Sequence, residues 1–80
     1  MNKLIVVSSP DGDLYFHFDE VNKAARAIYR LMSNEEFMKE KEAPEGAVLK
    51  RLHDAAKNED WAALYVYFES NGYLQIKRFQ

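Results

Sequence analysis

Residues Glu69-Ser70-Asn71-Gly72-Tyr73 separate two short runs, Ala63–Phe68 (ALYVYF) and Leu74–Phe79 (LQIKRF), that both alternate in polarity. Period-two alternation reads as strand, and Asn-Gly between two such runs reads as a hairpin turn. The length of the turn decides which side chains share a face. A two-residue turn over Asn71-Gly72 sets Phe68 against Gln75 and Val66 against Lys77, so both faces mix core and solvent residues. A three-residue loop over Ser70-Asn71-Gly72, with Gly72 at a bulge, sets Phe68 against Leu74 and Val66 against Ile76, and Leu64 joins them. This second register is the expected one. It sends Tyr65, Tyr67, Tyr73, Gln75, Lys77 and Phe79 to the opposite face.

The same pattern occurs at the other end, where Leu4–Ser9 and Leu14–Phe18 flank Pro10-Asp11-Gly12. Treated as a three-residue loop, this turn directs Leu14, Phe16 and Phe18 inward and Tyr15 and His17 outward. Between the two hairpins the spacing becomes helical. Asp19 stands at an N-cap position, and Val21, Ala24, Ala25, Ile28, Leu31 and Met32 fall on one side of a first helix. Its phase fails at Phe37 and Met38, while Ser33-Asn34-Glu35-Glu36 has the form of a capping box, so a break near Ser33 and a short second helix are expected, with a continuous bent helix over 19–42 as the competing reading. Pro44 is placed to open another helix whose apolar stripe, Val48, Leu49, Leu52, Ala55 and Ala56, ends near Asn58. Trp61 is expected to close the end of the core.

The predicted architecture is a single α+β domain spanning residues 1–80, in the order ββα(α)αββ: a four-stranded antiparallel sheet built from two hairpins, with two to three helices on one face. Eighty residues with 48% apolar and 30% charged side chains suit a soluble globular chain with a small core. There is no cysteine, which removes disulfides, thiolate zinc sites and thiol nucleophiles and fits a reducing compartment, with the cytoplasm as the expected location. The apolar run Leu4–Val7 is too short for a signal-peptide core or a membrane span. A formal net charge of −2 gives the whole molecule no long-range attraction for phosphate backbones, so nucleic-acid binding needs a local basic patch.

The expected open sheet face carries Tyr15, His17, Tyr65, Tyr67, Tyr73, Lys77 and Phe79, and this is the candidate partner-binding surface. Tyrosine joins apolar area to a hydrogen-bonding tip and is enriched in interface hot spots. Tyrosines also suit half-exposed strands for reasons of packing alone, and the same patch fits the interface of a homodimer. A single-strand nucleic-acid platform is the alternative, with bases stacked on the rings and basic residues tracking phosphates. Lys23, Arg26 and Arg30 form a secondary charged ridge on the first helix, either a solvated face or a contact for an acidic partner.

The stretch Glu35–Glu45 holds five glutamates against Lys39 and Lys41, the composition of a soluble short helix and connector. No metalloprotease, nucleophile-elbow, phosphate-loop or calcium-loop spacing occurs, and His53-Asp54 are neighbours that point in different directions on a helix. No cofactor, metal or catalytic residue is assigned. The expected role is that of a small non-catalytic regulator or inhibitor that binds another protein. Its size is compatible with an accessory protein of a phage or mobile element.

Overall fold

The computed structural model describes residues 2–41 and 43–79, so Glu42 of the acidic connector lies outside the described residues. The chain runs β1 (Asn2–Ser9), β2 (Gly12–His17), α1 (Val21–Leu31), α2 (Glu35–Lys39), α3 (Gly46–Lys57), α4 (Trp61–Ser70) and β3 (Gln75–Phe79). The fold is α+β with an antiparallel sheet, as expected. The sheet has three strands rather than four, in the order β2-β1-β3, and there are four helices.

The missing strand is α4. Its residues fit either period by eye, but its interior resolves the ambiguity. Leu64 and Phe68 are fully buried, while Val66 between them is 63% exposed. A strand would have buried all three on one side; a helix separates the middle one by about 160–200° from its neighbours. The ends favour the helix too. The Asp60 carboxylate accepts from the Ala63 N–H at 3.3 Å as an N-cap, and Ala62-Ala63 in the first turn are good helix formers.

Asn71-Gly72 is therefore a helix terminus and not a hairpin turn. Gly72 has φ +75°, the Tyr73 N–H donates to the Phe68 carbonyl at 2.9 Å, and the Gly72 N–H donates to the Glu69 carbonyl at 3.4 Å. These are the two bonds of a Schellman motif, and its accompanying apolar contact is present as the Phe68 and Tyr73 rings, 5.1 Å apart. Tyr73 is buried to 1% exposure, with the Phe37 ring at 6.1 Å and the Lys41 ammonium over it at 5.7 Å.

The first hairpin differs from expectation by one residue. Ser9 pairs with Gly12, so the connection is the two-residue Pro10-Asp11. Leu14 and Phe16 still face the helices, because the shorter turn sets them opposite Val7 and Ile5 of β1, both fully buried. β3 then pairs with the other edge of β1, with Ile76 opposite Ile5 and Gln75 opposite Val6.

The three helices expected from the spacing are present. The first starts after Glu20 rather than Asp19, and the second is capped by Asn34, whose Oδ1 accepts from the Phe37 N–H, rather than by Ser33. The helix side of the sheet is covered by α1, which contacts β1, β2 and α4. Ile5, Val7, Ala24, Ala25, Ile28, Phe37, Leu52, Leu64, Phe68, Tyr73 and Leu74 make one core. Trp61 opens α4 half-buried against that core, its ring edge-on to Tyr29 at 6.2 Å.

Burial divides the tyrosines sharply. Tyr73→Ala should cost about 3–5 kcal/mol, as for other large core aromatics, whereas Tyr15→Ala on the exposed sheet face should cost about 0.5 kcal/mol or less. Urea denaturation of the two variants checks this, and equal losses would contradict the placement of Tyr73.

Candidate functional site

The face of the sheet turned away from the helices is set by period-two alternation from three registers. Val6 of β1 lies between Tyr15 of β2 and Gln75 of β3, and Leu4 lies between His17 and Lys77. Phe79 follows on β3, opposite Asn2. Tyr15 is 58% and Phe79 40% exposed, while Val6 beneath its cross-strand neighbours is only 4% exposed. The surface has an aliphatic centre, two aromatic rings, and His17, Lys77 and Gln75 as polar rim.

Of the seven residues expected on this face, the structure brings four together: Tyr15, His17, Lys77 and Phe79. Tyr65, Tyr67 and Tyr73 are elsewhere, because the segment that carried them is a helix and its cap. Tyr65 and Tyr67 lie half-buried against the core on α4, and Tyr73 is within it. Burial, followed by a hydrogen bond to the Glu69 carboxylate, pushes the Tyr65 phenol up to about 12. That contribution to stability is complete below the ordinary tyrosine range and is lost as pH rises through the shifted value.

Leu4 and Val6 complete the face and were not singled out from the sequence. A signal for them exists. Leu4-Ile5-Val6-Val7 is a continuous apolar run in a chain whose other strands alternate, and such runs mark a strand covered on both sides.

The helix ridge does not act as a unit. The Lys23 ammonium pairs with the Glu20 carboxylate at 2.9 Å, and the Arg26 guanidinium sits over the Trp61 ring at 5.3 Å. Arg30 instead lines an open groove of about 480 Å³ between α1 and β2, with Leu14, Ala27, Leu31, Ser33 and Asn34. A second groove, about 410 Å³, runs between α3 and α4 beside Leu52, Leu64 and Val66.

Both histidines are engaged through Nδ1. His17 meets the Asp19 carboxylate at 2.8 Å, and His53 meets the Tyr29 hydroxyl at 2.6 Å. Neither pair has a nucleophile hydrogen-bonded to it among the described residues, and no group of three metal-ligating side chains forms there. Among the same residues no helix is long and apolar enough to cross a membrane.

The end of β2 is fastened by Glu20. Its carboxylate accepts from the His17 N–H at 2.9 Å, and its own N–H donates to the His17 carbonyl at 2.9 Å. The Lys23 hydrogen bond, then that of the His17 amide, holds the Glu20 carboxyl below its ordinary value of 4.5. A lowered value means this fastening is intact above the ordinary range and is lost as pH falls through the shifted one. The His17 amide resonance should follow that titration with a midpoint below 4.5. A midpoint at or above the ordinary value, or no response, would show that the bond is not formed.

No protein-family model matches the chain, and no curated protein or solved structure matches it either.

Proposed function

We propose that the protein acts without catalysis, by docking another protein on the open sheet face, in the manner of a small regulator or inhibitor. The observation that supports this reading is the apolar centre of that face. Leu4 and Val6 belong to the central strand yet point away from the core, and they are ringed by Tyr15, Phe79, His17, Lys77 and Gln75. An aliphatic floor beneath the exposed rings of Tyr15 and Phe79, with a polar rim, has the anatomy of a protein interface. Side chains standing on a sheet offer a shallow surface, which suits a macromolecular partner better than a small molecule, since small ligands are held in concave sites.

The experiment compares capture from the native host by the intact chain, by a Tyr15→Ala/Phe79→Ala double variant, and by Lys50→Glu on the exposed side of α3. The double variant should keep its melting temperature and lose a protein that both other baits recover. Equal recovery by all three would overturn the reading, and self-association abolished by the double variant would identify the face as a homodimer contact.

A second reading, single-stranded nucleic acid, draws on one feature. Lys3 and Arg78 stand directly opposite each other on β1 and β3, on the helix side of the strands, while Lys77 and Phe79 of β3 point to the open side. Like charges in that position repel. None of the three cations forms an ion pair among the described residues, and an anion would relieve the repulsion. Contacts from the two cations of that pair predict a slope of about −1.4 for log K against log salt on a single strand. Fluorescence anisotropy with an oligothymidylate at low salt checks this, and the absence of binding there excludes it.

A further inference from the structure

The two edges of the sheet are unlike. β3 carries Lys77 on one face and Arg78 on the other, and charges on an edge strand resist pairing with another chain. β2 has no lysine, arginine or proline from Gly12 to His17, and its Leu14 is 37% exposed although it faces the helices.

The last rung of β2 is occupied by the chain itself, through the two bonds between His17 and Glu20. Groups directed at Glu20 are turned away from β1. In an antiparallel ladder alternate residues point both N–H and C=O to the same side, so Tyr15 and Asp13 also present theirs at the open edge. Glu20 thus imitates the first residue of a neighbouring strand, and two rungs remain open beside it.

On the helix side of those rungs lies the groove lined by Leu14, Ala27, Arg30, Leu31, Ser33 and Asn34. Every second side chain of an added strand would fall there. The lining is chemically one-sided: three apolar residues, then donors, with no carboxylate. The Arg30 guanidinium forms no ion pair or hydrogen bond among the described residues. Because the Asn34 Oδ1 is taken by the Phe37 N–H at 3.1 Å, its amide Nδ2 is left to donate, next to the Ser33 hydroxyl.

We infer that β2 takes an extended segment of a partner protein as a fourth strand. The segment sets an apolar side chain against Leu14 and Leu31, and an aspartate or glutamate two residues away on Arg30. Main-chain bonds supply affinity in such strand addition, and alternate side chains supply specificity. A second copy of this chain is a poor occupant. Self-pairing that uses the Asp13 and Tyr15 rungs has its twofold axis through Leu14, which draws two Arg30 side chains toward each other in a groove without a carboxylate. This surface is distinct from the open face and does not depend on it.

The test is selection of random octapeptides, displayed on phage, against the full chain, followed by synthesis of the enriched sequences. Enriched peptides should carry Asp or Glu two positions from Val, Ile or Leu, and should slow hydrogen exchange at the Asp13 and Tyr15 amides. Arg30→Glu should weaken them by about tenfold or more, Arg30→Gln by less, and Phe79→Ala on the open face should leave them unchanged. Arg30 is exposed, so melting temperatures should match that of the parent. The inference is overturned by failure to enrich, by peptides without acidic bias, by protection outside β2, or by dimerisation through β2 in sedimentation.

Discussion

The reversal of the chain at Gly72 is the constraint on which the rest depends. It stops α4, turns the backbone through the left-handed region, and drops Tyr73 into the core against Phe68 and Phe37. With Tyr73 anchored there and Leu74 buried beside it, the direction and parity of β3 follow. Ile76 and Arg78 fall on the helix side, and Gln75, Lys77 and Phe79 on the open side. A different exit from α4 would leave β1 with one neighbour and the core without a floor. The Lys41 ammonium, placed over the Phe37 and Tyr73 rings and reaching the Gly72 carbonyl at 3.4 Å, ties the connector after α2 to the same point.

Local signals and tertiary ones were not equally readable. The opening hairpin, α1, the break at Ser33, and α3 up to Asn58 are each specified by a turn residue, a cap or a stripe within a few positions, and those signals were legible. α4 is specified by a choice between two periods that Leu64, Val66 and Phe68 leave open; the Asp60 cap and Ala62-Ala63 lean toward the helix, and the core that α1 and the sheet provide completes the choice. Asn-Gly carries the same ambiguity, because left-handed geometry serves a hairpin and a helix terminus alike. The neighbouring helix shows how little glycine itself decides. α3 ends in the same pair of bonds, Glu59 N–H to Ala56 and Asp60 N–H to Ala55, with Glu59 at φ +57° and no glycine present.

The candidate site was half legible for the same reason. Tyr15, His17, Lys77 and Phe79 lie on true strands, so period two placed them correctly even though the first turn is a residue shorter than expected. Tyr65, Tyr67 and Tyr73 were assigned with the wrong period and moved to the helix and the core. Leu4 and Val6 were assigned to neither face, because a continuous apolar run carries no alternation to tell the two sides apart. A central strand in a sheet of three needs cover on both sides. On the side away from the helices the cover comes only from cross-strand neighbours, which is enough to close over Val6 but leaves Tyr15 largely exposed.

β2 is where the two proposed surfaces meet. The ring of Tyr15 stands on the open face, while its main-chain groups point to the open edge. A strand added at that edge would place alternate side chains beside Tyr15 on one side and in the Arg30 groove on the other. It would also supply the fourth strand that the alternation of Ala63–Phe68 suggests but that this segment, a helix, does not form. The open face and the edge can thus be engaged by one partner that contributes an extended segment and the surface that follows it. They can equally serve two partners that compete at Tyr15.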